Sequence, residues 1–156
     1  MQIVTAGPED AAEVLQVMRS AFEEYRGRLH PDTGALSETV EDVQVAIKEG
    51  GALIAYAANE AVGAARFAVR PGYLYAERIG VTPGYRDRGV AVALMNAIED
   101  ATRSLGLAEV RLGVRASLPG NLRFYENLGY RALESKAYPE GTDFEITLSK
   151  TLVSAT

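Results

Sequence analysis

Two residue types that often carry enzyme chemistry are absent or scarce in this chain. The 156 residues contain no cysteine and only one histidine, His30. Disulfides, thiol nucleophiles, cysteine metal sites and two-histidine metal sites are therefore excluded, and we predict no metal site. Long apolar runs are missing as well. The longest, residues 52–58, is far shorter than the roughly 20 residues of a membrane helix, so we predict no membrane association.

Positive charge is also in short supply. The chain has 16 basic and 21 acidic residues, a net charge of −5, which argues against a nucleic-acid partner. The deficit lies in residues 1–60, which hold four basic and eleven acidic residues, whereas residues 61–156 hold twelve and ten. One explanation is chance and solvated helix faces. The other is that the two halves face ligands of opposite charge, a negative half attracting a cationic acceptor.

Hydrophobic periodicity predicts one α+β domain spanning residues 1–156. The first residues, Met1–Val4, lack the basic region followed by an apolar one that is typical of a targeting segment, so we expect a cytoplasmic location. The predicted element order is β-α-α-β-β-β-α-β-α-β-β. Along the strand Tyr73–Val81, simple alternation places Glu77, Ile79 and Val81 on one face. Gly80 within that strand predicts a bulge or a close approach of another backbone.

The junction between that strand and the next helix has the features of an anion site. Residues 86–91, Arg-Asp-Arg-Gly-Val-Ala, lead into a predicted helix. Free amides at the positive end of a helix dipole attract phosphate, and small residues let it approach the backbone. An ordinary loop with a glycine at a helix start is the alternative. The P-loop, dinucleotide-binding and nucleophile-elbow motifs are absent from the sequence.

Two segments resemble one known family. Residues 86–91 match the Q/R-x-x-G-x-G/A signature of the GNAT superfamily of acyl-CoA-dependent N-acyltransferases. Residues 121–130, Asn-Leu-Arg-Phe-Tyr-Glu-Asn-Leu-Gly-Tyr, are similar to the family's downstream block of asparagine, paired aromatics and glycine. The resemblance implies a GNAT-like mixed, mostly antiparallel central sheet flanked by helices. It also implies an N-acetyltransferase that moves the acetyl group of acetyl-CoA directly to a primary amine through a tetrahedral intermediate.

The alternative function is a non-catalytic acyl-CoA-binding or sensing domain of the same fold. The implied acceptor is a small-molecule or peptide amine, and a homodimer is a candidate assembly. The resemblance further implies that the strand bearing Gly80 separates from the strand at residues 109–114, and that the gap holds the thioester. The cofactor-binding residues implied by the family motifs are Ile79, Gly80, Val81, Arg86, Arg88, Gly89, Val90, Ala91 and Asn121.

Two residues are the catalytic candidates. An alkyl amine with a pKa of about 10.4 must lose a proton before attack, and a leaving thiolate benefits from a nearby acid. Tyr125 matches the family tyrosine that donates to the thiolate; its alternative is a core aromatic. Glu77 on the cofactor-bearing strand is the candidate base; its alternative is a rim charge paired with an arginine. Asn121 is also a candidate helix N-cap, a role that is compatible with cofactor binding.

Overall fold

The computed structural model describes residues 1–153, so the last three residues of the predicted domain 1–156 lie outside the described part. Its elements follow the predicted order. The strands are β1 Gln2–Ala6, β2 Gly51–Ala57, β3 Glu60–Arg70, β4 Tyr73–Val81, β5 Glu109–Arg115, β6 Arg131–Ala137 and β7 Phe144–Thr151. The helices are α1 Ala11–Phe22, α2 Val40–Glu49, α3 Val90–Ser104 and α4 Pro119–Asn127. None of these helices is long and apolar enough to cross a membrane.

The seven strands form one sheet in the order β1-β2-β3-β4-β5-β7-β6. Every neighbouring pair is antiparallel except β4 and β5, which run parallel. The predicted mixed, mostly antiparallel sheet is thus confirmed. The single parallel pair arises because the connection from β4 to β5 contains α3, and a crossover helix returns the chain in the same direction.

Helices cover both faces of the sheet and create two apolar cores. In β2, Leu53 and Ala55 pack on the core that contains α3, whereas Ala52 and Ile54 pack on the core that contains α1 and α2. This explains why β2 is an unbroken apolar run: a strand that is covered on both faces has no solvent side for polar residues.

A β-bulge interrupts the alternation of β4. Two residues of β4, Arg78 and Ile79, face a single residue of β3, Ala65. Arg78 has a φ of +52°, in the left-handed region that residues other than glycine seldom adopt. A bulge of this kind bends the strand and increases its twist.

The bulge corrects the predicted faces of β4. Before it, Leu74 and Ala76 belong to the core under α3; after it, Ile79 and Val81 pack against that same core. The expectation that Ile79 and Val81 share a face with Glu77 is therefore wrong. One extra residue shifts the two-residue period and turns the following side chains to the other side of the sheet.

The sheet opens next to the bulge. β4 and β5 pair only where Leu74–Ala76 meets Val110–Leu112. Beyond Ala76, β4 continues along β3, whereas β5 continues along β7. The expected separation of these two strands is thus confirmed.

Of the two alternatives predicted at Gly80, the bulge is confirmed, because it lies directly before this residue; the atoms that approach Gly80 closely are side chains of α1 and not another backbone. A Cβ at Gly80 would lie 2.7 Å from the Cβ of Ala21 and 3.1 Å from the Phe22 ring. We expect Gly80→Ala to push α1 away and lower the free energy of unfolding by about 1–3 kcal/mol, as overpacking does. Urea denaturation followed by circular dichroism measures this.

Gly84→Ala is the matched control, because nothing lies within 4 Å of a Cβ there and its φ is not positive. Equal urea midpoints for Gly80→Ala and wild type would show that α1 does not pack this closely on β4.

Candidate active site

Two cavities meet where β4 and β5 separate. The α3 cavity, of about 440 Å³, is walled by the end of β4 and the start of α3. The β5 cavity, of about 370 Å³, lies between β4, β5 and the β6–β7 hairpin. Four residues line both cavities: Phe22, Tyr25, Asn121 and Tyr125. The opening of the sheet therefore places one shared wall, rich in phenols, between two spaces.

The start of α3 presents free amides to its cavity. Gly89 is the N-cap with a φ of +81°, a conformation that glycine adopts without strain. The first amide of this helix to find a backbone acceptor is that of Ala93, which donates to the Gly89 carbonyl at 3.0 Å. The amides of Val90 and Ala91 precede it, and both residues line the cavity. Such a helix start favours an anion.

Arg86 lines the same cavity, but its guanidinium is already engaged. It donates to the Glu24 carboxylate at 2.9 Å, to the Ala21 carbonyl at 2.9 Å and to the Val81 carbonyl at 3.3 Å. These bonds tie the end of α1 to the end of β4. Arg86 therefore shapes the cavity wall as well as adding positive charge to it.

The predicted cofactor-binding residues do not all reach one cavity. The α3 cavity gathers seven of them: Gly80, Val81, Arg86, Gly89, Val90, Ala91 and Asn121. Ile79 lines the β5 cavity instead. Arg88 is exposed, and its guanidinium lies 5.3 Å from the centre of the Tyr85 ring.

Tyr125 is both a core aromatic and a cavity residue. Its side chain is 9% exposed, and its ring packs edge-on against Phe124 at 5.0 Å and Tyr130 at 6.1 Å. Burial, with a smaller contribution from Tyr25, raises the pKa of the Tyr125 phenol well above its usual range. Tyr125 therefore keeps its proton at neutral pH and is available as a donor.

Sequence reasoning missed Tyr25, which follows α1 and lines both cavities. Burial raises the pKa of Tyr25, and the side chain of Asn121 opposes that rise. No motif in the sequence marks this residue. Asn121 is the third residue of α4, whose N-cap is Leu118, so the candidate N-cap role of Asn121 is wrong. The helix starts earlier because Pro119 suits a first turn.

Glu77 lines the β5 cavity and also has an arginine partner. Its side chain is 36% exposed, and its carboxylate lies 3.8 Å from Nη2 of Arg66. Arg66 is only 4% exposed and donates two hydrogen bonds, of 2.7 and 2.9 Å, to the Glu38 carboxylate. An arginine inside the otherwise apolar stretch of β3 was the signal that could have revealed this pair, because a buried charge needs a partner.

Glu145 of β7 brings a second carboxylate to the β5 cavity. Tyr75 donates to Glu145 at 3.3 Å. Burial, with the charges of Glu145 and Glu77, raises the pKa of Tyr75 to about 12. Burial is the largest cause of this rise, and the two carboxylates add to it because negative charge disfavours the phenolate.

These features define a class of protein. A mixed sheet opened between two strands, with free helix amides on one side and a buried phenol at the centre, is the arrangement implied by the resemblance to acyl-CoA-dependent acyltransferases. The model of the Acetyltransferase (GNAT) family matches residues 13–130. The chain belongs to this family, which confirms an acyltransferase with acetyl-CoA as its co-substrate.

Similar proteins agree with this assignment. The chain is 30% identical over 98 residues to the Uncharacterized N-acetyltransferase YjcF of Bacillus subtilis (strain 168), covering 63% of this chain and 68% of that protein. Smu.2055 of Streptococcus mutans UA159 has the same fold, with a TM-score of 0.80 and 17% identity over 98% of this chain and 100% of its own. An aminoglycoside 6′-N-acetyltransferase complexed with coenzyme A has a TM-score of 0.76 and 16% identity over 100% and 99%.

Homodimer assembly and a cytoplasmic location stay predictions. So do the roles of the individual site residues.

The pair of Arg66 and Glu38 supplies a stability prediction. We expect Glu38→Gln to lower the free energy of unfolding by about 3 kcal/mol, because it removes the carboxylate that accepts both hydrogen bonds of the buried Arg66 guanidinium. Urea denaturation measures the change. Glu140→Gln, at an exposed turn, is the control and should unfold like wild type. A similarly small change for Glu38→Gln would mean that water solvates Arg66.

Proposed function

We propose that this protein transfers the acetyl group of acetyl-CoA directly to a primary amine through a tetrahedral intermediate. The observation that carries the proposal is the meeting of the two cavities at Tyr125, beside the gap between β4 and β5. Cofactor bound in the α3 cavity can extend its thioester into this gap. An amine that enters through the β5 cavity then meets the thioester carbon without a covalent enzyme intermediate.

The α3 cavity suits the pyrophosphate and the pantetheine arm of the cofactor. The amides of Arg88, Gly89, Val90 and Ala91 are proposed to bind the pyrophosphate at the positive end of α3. Beyond the parallel contact, the edge of β4 that faces β5 has no paired strand among residues 79–81. An extended pantetheine arm is proposed to lie along these residues as an added strand does.

The proposed reaction needs three proton movements, because an ammonium nitrogen loses two protons on becoming an amide and the sulfur gains one. Glu77 accepts a proton from the amine, directly or through water, and the amine nitrogen bonds to the thioester carbon. A backbone amide at the bulge of β4 stabilises the resulting oxyanion. The intermediate then breaks its carbon–sulfur bond as Tyr125 gives its proton to the departing sulfur, and the second proton of the nitrogen restores the Tyr125 phenol, directly or through water. The position of Glu77 and Tyr125 supports these roles, because both residues line the β5 cavity.

Acetyl-CoA binding and turnover are tested separately. Acetyl-CoA should raise the melting temperature of the protein, and thiol release with a panel of primary amines should reveal transfer. Binding without thiol release for any amine would favour the sensing domain. Absence of both effects would overturn the proposal.

Tyr125→Phe removes the proposed donor and keeps the ring that packs in the core. We expect kcat to fall about 100-fold, the lower range for a general acid, with an unchanged melting-temperature increase on acetyl-CoA binding. Thiol-release kinetics measure the rate. Tyr73→Phe is the control, since Tyr73 lines neither of the two cavities. An unchanged rate in Tyr125→Phe would remove this residue as the acid.

Glu77→Gln tests the base. At neutral pH kcat/KM for an amine should fall about 100-fold, because most of the amine is protonated and its proton acceptor is lost. The deficit should shrink as pH rises toward the amine pKa of about 10.4, where free amine no longer requires the base. A pH profile of thiol release measures both effects. An equal rate in the variant at neutral pH would assign the base role to water.

A further inference from the structure

The bulge of β4 places a charged side chain in the β5 cavity. Arg78 is the bulge residue with the φ of +52°, and its side chain is 30% exposed in the cavity wall. Unusual backbone conformations of this kind persist where the surrounding fold holds them, often at sites that bind ligands.

Arg78 has far fewer partners than the other arginine of this cavity. Its Nε lies 3.5 Å from Glu38, and no hydrogen bond joins its side chain to any group of residues 1–153. The Glu38 carboxylate already accepts both bonds from Arg66. Arg115, by contrast, donates to the carbonyls of Pro31 and Asp32 at 2.6 and 3.3 Å. The terminal nitrogens of Arg78 are thus the unused donors of the wall.

Gly34 leaves the space that the Arg78 guanidinium occupies. A Cβ at Gly34 would lie 2.9 Å from Nη2 of Arg78. Gly34 is itself a residue of the β5 cavity wall. A larger residue at position 34 would therefore move the guanidinium and leave the backbone of β4 untouched.

The same cavity carries the opposite charge as well. Glu77 and Glu145 line it, and the Tyr75 hydroxyl that bonds to Glu145 stands beside Gly113. An ammonium or amine group is favoured near these carboxylates. At about 370 Å³, the cavity is at the small end of ligand pockets and suits one small molecule.

We propose that the acceptor is a small amino acid-like molecule whose carboxylate is bound by Arg78 and whose amine faces Glu77. This inference rests on the proposed function and names the acceptor class for it. Arginine binds a carboxylate through two parallel hydrogen bonds. A phosphate would bring more negative charge toward Glu77 and Glu145, so the singly charged carboxylate is the better match for this wall.

Binding to the protein saturated with coenzyme A is the test, because it does not depend on turnover. The probes are the twenty standard L-amino acids at millimolar concentration, each compared with its own carboxamide, which keeps the amine and the side chain. At least one amino acid should bind about tenfold or more tightly than its carboxamide in calorimetric titration. Tenfold corresponds to about 1.4 kcal/mol, below the usual worth of a charge-assisted pair.

Two variants assign the preference to Arg78. Arg78→Gln should abolish the preference for the amino acid, and Gly34→Ala should weaken it by displacing the guanidinium. Arg70→Gln, at the exposed end of β3, should keep it. All three should retain the melting-temperature increase with acetyl-CoA.

Three results would overturn the inference. One is that no amino acid binds wild type more tightly than its carboxamide. Another is that Arg78→Gln weakens both ligands equally. The third is that only amines without a carboxylate act as acceptors in thiol release. None of these results depends on acetyl-CoA binding. The proposed function is contradicted by a different result, the absence of acetyl-CoA binding or of any turnover.

Discussion

The short parallel contact between β4 and β5 is the constraint on which the site depends. β5 is held along its whole length by β7, and β4 is held by β3 up to Val81, so neither strand can follow the other past Ala76. Within residues 1–153, the backbone groups on the inner edges of the opening have no strand partners. Unpaired backbone groups are costly when buried, which is why an extended ligand that satisfies them is a fitting occupant. Both cavities and their shared wall follow from this opening.

Most of the fold was predictable because it follows from local patterns. The capping box of α2 is one example: Thr39 and Asp42 bond to each other's amides as their spacing indicates. Gly80 indicated a bulge as one of two alternatives, but neither its position at Arg78 nor its effect on the faces of β4 could be predicted. The bulge at Arg78 depends on how β4 is matched to β3, which is set by packing between distant residues. Alternation along β4 alone therefore assigned Ile79 and Val81 to the wrong face. Nothing local could name α1 as the neighbour of Gly80 either.

The site was predictable where a motif carried it and not where long-range pairs built it. The loop before α3 and the aromatic pair of α4 were found because each is contiguous in sequence. Tyr25 reaches the shared wall from the end of α1, and no local spacing relates it to Tyr125. The same is true of Glu38, which is separated from Arg66 by 28 positions.

The charge imbalance between the two halves of the chain has a third explanation in the structure. Acidic residues of the first half pair with arginines of the second: Glu24 with Arg86, and Glu38 with both Arg66 and Arg78. These pairs join the end of α1 to the loop before α3, and the segment before α2 to β3 and β4. Part of the charge difference between the two halves therefore consists of ion pairs that hold the halves together. Two of the carboxylates that line the β5 cavity, Glu77 and Glu145, lie in the less acidic half, and the acidic half contributes Asp32.

The burial of Tyr125 has a consequence for the proposed proton transfer. A phenol whose pKa is raised by burial is a weaker acid than in water, where a thiol with a pKa of about 8.5 would not take its proton. The departing sulfur forms in the same dry surroundings, which raise the pKa of a thiol as well. Burial therefore raises the pKa of both groups. The pKa difference that the proton transfer must overcome depends on how strongly each group is desolvated. Because the phenol remains protonated until the carbon–sulfur bond lengthens, it can donate a hydrogen bond to the sulfur throughout, and the proton need move only as negative charge develops there.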